Sequence, residues 1–276
     1  MPEGDTIFRT ADVLRRALRG STVVRAVAQP RPGLARVPDL SVLVGTRVEE
    51  VESRGKHLLI GFSGGWWLRS HMRMRGSWHR YRVGEEWRLP RSRATCVLET
   101  STAVAVCFDA PELELLTDVS LARHARLDAL GPDLLARSFD LEDAVGRLSA
   151  DPRRPLGEAL LDQRAVAGMG NVYKSEVCFL ERLDPWMPVG LVPAPTLRAA
   201  LTTARRLLAA NAGGGRRVTT GVGSPGRSLW VYSRAGRPCR RCGTLIQSRR
   251  QGEDGRLTYW CPRCQGGGSG DSGELA

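Results

Sequence analysis

No stretch of the sequence approaches the roughly 20 consecutive apolar residues that cross a bilayer, and no basic-then-apolar leader precedes a cleavage site. A soluble, intracellular chain is expected. Negative charge is in deficit: 29 Asp and Glu stand against 41 Lys and Arg, a formal charge of +12. The positive side is mostly arginine, whose planar fork suits phosphate oxygens, so a polyanion is the expected partner. Charge alone would suit a ribosomal protein, a polyphosphate binder or a membrane-surface protein equally well. Internal repeats are absent, and so is a disulfide framework. Of 7 cysteines, Cys96, Cys107 and Cys178 are scattered, while the other four form two close pairs near the end. That distribution indicates metal binding rather than disulfides.

With 276 residues the chain is long enough for more than one domain. Ile7, Ala11, Leu14 and Leu18 recur at helical spacing, with Arg9, Asp12, Arg15, Arg16 and Arg19 facing away and Gly20 as a stop. From Thr22 to about Phe108 the pattern becomes short β-branched runs, "TVVRAV", "HLLIGF", "WWLRSH", "ATCVLE" and "TAVAVCF", separated by Gly, Pro and Ser. This predicts an antiparallel β-sandwich. Between Pro111 and Pro132 the strand pattern ends and a linker passes into a helical domain, with helices expected over "LGEALLDQ", "NVYKSEVCFLERL" and "APTLRAALTTARRLLAANA". The tail "QGGGSGDSGELA" has the composition of a disordered end.

Three stretches carry chemistry. Cys239 and Cys242, in "CRRC", are followed by Cys261 and Cys264, in "CPRC", and the 18 residues between the pairs fit a C-x2-C-x15–20-C-x2-C zinc site. Four thiolates close the tetrahedron, so one Zn2+ there is structural. Redox-active CxxC pairs are the competing reading, and they lack a surrounding βαβ pattern. The intervening residues suit a two-stranded hairpin turning at "EDG", with Arg256 just after the turn. In "LLDQRAVAGMGN" an amphipathic helix runs into Gly168 and Gly170, and a new helix begins near Asn171, a good N-cap whose helix start can hold an anion. Taken alone, such glycine turns are usually only turns. "SRGKHLLI" places Lys56 before a strand, and "RSHMRMRGSW" crowds His71, Arg73, Met74 and Arg75 at a strand end. Cations around an apolar residue suit a DNA wedge, in which charges hold phosphates and the apolar group fills the gap left by an unstacked base. A solvated lysine, a core methionine and a strand-capping histidine are the plain alternatives.

The opening "MPEGDT" adds a fourth feature. Proline in second place permits removal of Met1, which would expose a secondary amine on Pro2 beside the Glu3 carboxylate. An α-amino group titrates at roughly 7.7 to 8.0, so about a tenth or more is neutral at pH 7. A frayed terminus is the plain alternative.

Taken in this order, "MPEGDT", "RGKHLL", "LLDQRAVAGMGN" and the four-cysteine finger resemble the formamidopyrimidine-DNA glycosylase and endonuclease VIII family, on the endonuclease VIII side and of actinobacterial type. The likeness spans Met1 to Gln265. It implies an α+β multidomain fold with four parts. A two-layer antiparallel β-sandwich with an N-terminal helix (1–115) is followed by a linker and helix–two-turn–helix domain (116–228), a zinc finger (229–266) and a disordered tail (267–276), with DNA in the cleft between lobes. The implied activity is that of a bifunctional DNA glycosylase and abasic-site lyase of base excision repair, acting on oxidised bases, pyrimidines before purines. By the same resemblance Pro2 forms a Schiff base with the sugar and Glu3 protonates it. Lys56 and Arg256 contact phosphate and assist β- and δ-elimination, and His71, Arg73, Met74 and Asn171 bind DNA. The implied partner is damaged double-stranded DNA, with single-stranded and bubble DNA left open, for a monomeric cytoplasmic, nucleoid-associated enzyme with no membrane contact. Thr6 departs from the pattern, standing where many members carry a second glutamate that helps base excision, so the lyase step is the firmer expectation. The loop "GGGRRVTTGVGSPGRSLW" lies where some relatives cover the flipped base, and its sequence does not announce which base it reads. The competing classes are a lesion-binding protein that does not cut and a zinc-ribbon RNA-binding protein.

Overall fold

The computed structural model describes residues 2–266, so the tail expected to be disordered lies outside the described residues. The chain divides into two compact units, residues 1–129 and 130–276.

The first unit opens with α1 (Gly4–Leu18), which buries the expected stripe of Ile7, Ala11, Leu14 and Leu18. Eight strands follow: β1 (Val23–Ala28), β2 (Val48–Arg54), β3 (His57–Phe62), β4 (Trp66–His71), β5 (Ser77–Tyr81), β6 (Ala94–Thr100), β7 (Val104–Phe108) and β8 (Glu112–Thr117). They form two antiparallel four-stranded sheets, ordered β1-β6-β7-β5 and β2-β3-β4-β8. Alternation sorts the side chains. In β7, Ala105 and Cys107 join the core shared by both sheets and α1, while Val104, Val106 and Phe108 join a smaller cluster with Trp87 and Leu89. Two short helices, α2 (Asp118–Ala122) and α3 (Ala125–Asp128), close the unit. The structure thus corrects the reading that strands end at Pro111, because β8 pairs with β4 along its whole length.

The second unit holds α4 (Leu141–Leu148), α5 (Leu156–Ala159), α6 (Asn171–Leu180) and α7 (Ala194–Ala212) around one apolar core, then the hairpin of β9 (Gln247–Gln251) and β10 (Arg256–Trp260), and α8 (Pro262–Gln265). The helix expected over "LGEALLDQ" is only one turn long. Gly157 packs so close to Gln251 that an added Cβ would lie 2.4 Å from its Oε1. Every residue of α6 from Asn171 to Phe179 is buried. Its polar side chains are therefore spent on partners: Lys174 Nζ donates to Thr258 Oγ1 in β10, and Glu176 accepts from the 219–232 segment. No helix among the described residues is long and apolar enough to cross a membrane.

Candidate active site and metal centre

In the first unit, Pro2 is partly exposed and lines a cleft of about 480 Å3 together with Thr6, Thr10, Met72, Gly76 and Trp78. Directly behind it, Glu3 is fully buried, and its backbone oxygen accepts the Thr6 and Ile7 N–H groups at 2.9 and 3.1 Å, starting α1. Glu3 stands at the head of α1, and Pro2 precedes it at the wall of the cleft.

Lys56 follows Gly55, which takes the left-handed backbone (φ 56) that makes the β2–β3 turn. His57, the next residue, pairs with His71 in β4, and His71 pairs with Glu112 in β8. Register therefore gathers Lys56, His71 and the turn after β4 at one end of the sheet. Burial first, then the charges of Arg73, Arg69 and Lys56, hold the His71 imidazole down at about 4, against the opposing pull of Glu112. It is neutral at pH 7. His57 is pushed down to about 2, by burial and then by Arg69. In the turn itself, Met72 is in the core and Met74 is 56% exposed. Gly76 N–H donates to Met72 O at 2.8 Å, and a Cβ on Gly76 would sit 2.7 Å from that oxygen, so only glycine closes the turn.

In the second unit, Gln163 staples the two-glycine turn. Its amide donates to Leu161 O and Met169 O and accepts from Gly168 N–H, whose φ is 96. Asn171 is not the N-cap that its type suggested. Gly170 takes that position, and Asn171, the first helical residue, donates its Nδ2 to Leu257 O at 2.8 Å across to β10. Its Oδ1 is buried without a hydrogen-bond partner among the described residues. Arg256 begins β10 after the Gly252–Gly255 turn and lines a cavity of about 780 Å3 with Arg153, Arg154 and Arg164. Asp162, also there, binds Arg154 and Arg164 at 2.7 and 2.9 Å.

The four cysteine sulfurs lie within 4.8 Å of one another. Cys239 and Cys264 Sγ are 3.9 Å apart, and Cys242 and Cys261 Sγ 3.5 Å. Four thiolates around one tetrahedral ion are spaced about 3.8 Å apart when each bond is about 2.3 Å. The set fits a metal ion with no open coordination position, and the Ile246 and Trp230 side chains pack around it. The sequence reading missed Gln163, whose partners are local, and Glu112, Glu176 and Gln251, single polar residues with partners distant in sequence.

Three family models match the chain in order: the formamidopyrimidine-DNA glycosylase N-terminal domain over residues 1–112, the formamidopyrimidine-DNA glycosylase H2TH domain over 130–220, and a zinc finger found in FPG and IleRS over 236–266. The chain is 44% identical over 272 residues to the probable endonuclease 8 2 of Streptomyces coelicolor, covering 97% of this chain and 95% of that protein. It is 48% identical over 268 residues to the DNA-(apurinic or apyrimidinic site) lyase Nei2 of Mycolicibacterium smegmatis, covering 96% and 99%. Among solved structures, Lactococcus lactis Fpg (MutM) in complex with DNA containing N7-benzyl-Fapy-dG aligns with a TM-score of 0.82 over 96% of this chain and 100% of that one. At 22% identity that likeness bears on the fold alone.

Proposed function

This chain belongs to the formamidopyrimidine-DNA glycosylase and endonuclease VIII family, and on that premise we propose that it is a DNA glycosylase and abasic-site lyase of base excision repair. The observation that carries the reading is the pairing of Pro2, at the wall of an open cleft, with Glu3 fully buried behind it. With Met1 removed, the lone pair of the Pro2 nitrogen bonds to C1′ of the damaged nucleotide as the base leaves. Glu3 protonates the sugar ring oxygen, and the opened sugar is left as an iminium on Pro2. A secondary amine suits this step because its iminium is cationic and acidifies C2′. Loss of the C2′ proton expels the 3′ phosphate, and a second elimination expels the 5′ phosphate.

Lys56 and Arg256 contact the flanking phosphates and assist the two eliminations. His71 and Asn171 contact the backbone, and Met74, on the turn it shares with Arg73, enters the gap left by the extruded nucleotide, whose unstacking costs a few kcal/mol. The four cysteines hold one structural zinc, which supplies folding energy to the finger. The substrate is damaged duplex DNA, oxidised pyrimidines before purines, and the enzyme works as a monomer inside the cell. Support for the lyase comes from the relative named as an abasic-site lyase at 48% identity, and support for a DNA partner from the charge of +12.

The test is borohydride trapping on a duplex with one abasic site, for the native chain and for Pro2→Gly. A covalent adduct that requires Pro2, with β,δ-elimination ends in unreduced reactions, is expected. No adduct from protein shown to lack Met1 would leave a lesion binder that does not cut.

A further inference from the structure

The outer face of the β2-β3-β4-β8 sheet buries charge that the chemistry above does not use. Arg69, with no solvent exposure, donates to His57 Nδ1 at 2.8 Å and to Glu112 Oε2 at 3.1 Å, and pairs with Glu114 at 3.1 Å. Arg126 Nη1 donates to the same Glu112 oxygen at 2.8 Å. The other oxygen, Oε1, accepts from Arg73 Nε at 2.6 Å and pairs with its Nη2 at 2.5 Å. One carboxylate, with its side chain only 16% exposed, thus serves three guanidiniums. Burial pushes the Glu112 carboxyl up, but the hydrogen bond from Arg73 and the neighbouring charges outweigh it, and Glu112 is ionised at neutral pH.

Arg73 is also one of four non-glycine residues with positive φ among the described residues, at 47. A residue with a side chain persists in that region only where its surroundings over-determine it. Here Met72 is fixed in the core, Gly76 closes the turn on Met72 O, and the Arg73 guanidinium is gripped by Glu112. Only Met74 and Arg75 are left to form the tip.

We propose that Glu112 is a positioning residue that, by gripping Arg73, holds the 72–76 turn in the shape that presents Met74 to DNA. This rests on the reading of Met74 as the wedge. It assigns Arg73 a use different from a phosphate contact, since its guanidinium, though half exposed, is engaged by the Glu112 carboxylate.

The experiment uses the full chain and a duplex carrying a tetrahydrofuran abasic analogue beside 2-aminopurine, whose fluorescence reports what fills the gap. Met74→Ala should abolish the change on saturating binding. Arg73→Ala, which leaves the Arg69–Glu112 contact in place, should shift the turn about fivefold toward other shapes, the low end of what releasing such a strained residue is worth, and lower the signal. Arg73→Gly takes the left-handed backbone without strain and should keep most of the signal. Glu112→Gln should act like Arg73→Ala in the native background, add nothing to Met74→Ala, and add nothing in Arg73→Gly. The slope of log affinity against log salt should be unchanged in Arg73→Ala, whereas a fall of about one would put Arg73 on a phosphate and overturn the proposal. Native fluorescence in both Arg73→Ala and Glu112→Gln would overturn it as well. Either result, with abasic DNA still cut by the native chain, leaves the proposed function standing. A native chain that neither cuts nor shows the signal removes both.

Discussion

Glu176→Gln changes one buried atom and should loosen the segment that leads into the finger. The Glu176 side chain has no solvent exposure. Oε1 accepts the Val231 and Tyr232 N–H groups and Oε2 accepts Trp230 N–H, all at 2.8 Å, and Oε2 also accepts the Thr219 hydroxyl. In glutamine one oxygen survives and keeps two bonds. The other becomes an NH2 that faces donors and can accept none. Each orphaned buried donor costs about 1–3 kcal/mol. The Thr219 hydroxyl can rotate, and it already lies 3.4 Å from Ser228 O, so the uncompensated loss is one backbone N–H plus the weakening of two charge-assisted bonds. The expected destabilisation is about 2–4 kcal/mol, a large share of the roughly 5–15 kcal/mol by which a domain is stable. Urea unfolding followed by tryptophan fluorescence measures it, since Trp230 stacks on Phe179 with ring centroids 5.5 Å apart. Hydrogen exchange at residues 230–232 should accelerate in step. A loss under about 0.5 kcal/mol with unchanged exchange would refute the reasoning, because surface substitutions alone give changes that small.

Thr6→Glu, at the wall of the Pro2 cleft, should raise base excision of an oxidised pyrimidine about tenfold relative to cleavage of a preformed abasic site, the low end of general acid–base catalysis. Single-turnover assays on the two substrates decide it, and an unchanged ratio would contradict the role given to this position. Cys261→Ser should lose the metal, measured by atomic absorption, and weaken DNA binding, since metal binding and finger folding are coupled. Native metal content with native affinity would contradict it. Burial raises the Asp162 carboxyl, but hydrogen bonds from Arg164 and Arg154 outweigh this and hold it well below the ordinary carboxylate range. A depressed carboxyl stabilises the fold above its unfolded value of about 3.9, and that contribution fades as pH falls through and below this value. Asp162→Asn should therefore destabilise at pH 7 and progressively less below pH 4, and equal losses at both ends of a pH series of thermal melts would rule this out.

What was legible in the sequence, and what was not, follows the range of the interaction concerned. Runs such as "HLLIGF" and "WWLRSH" became β3 and β4 because their apolar residues are dense enough to mark a strand without outside information. β2 escaped notice because a bulge between Val48 and Glu50 breaks its period, leaving Val48 and Val51 as its buried residues. β8 carries a readable alternation in "ELELL", but it follows Pro111 and its glutamates look like a solvated face. The cysteine set, Pro2 with Glu3, and Lys56 could be singled out because each belongs to a short contiguous motif. Their supports could not, because each is one polar residue with a distant partner. Gln251 reaches Pro185, Glu176 holds Trp230 from 54 residues away, and Glu112 holds Arg73 from 39 residues away. A polar residue in an alternating strand defaults to solvent unless another chain segment arrives to claim it, and pattern carries no record of that arrival. Glu112 is the sharp case: the alternation that puts it opposite the core is correct, and the inference that it is therefore free is not. On that side of the sheet, β4, the turn after it and the start of α3 supply three arginines and two histidines within reach of Glu112 and Glu114. A substitution there that looks neutral by pattern should behave as a buried one, because it removes the anion around which three guanidiniums are arranged.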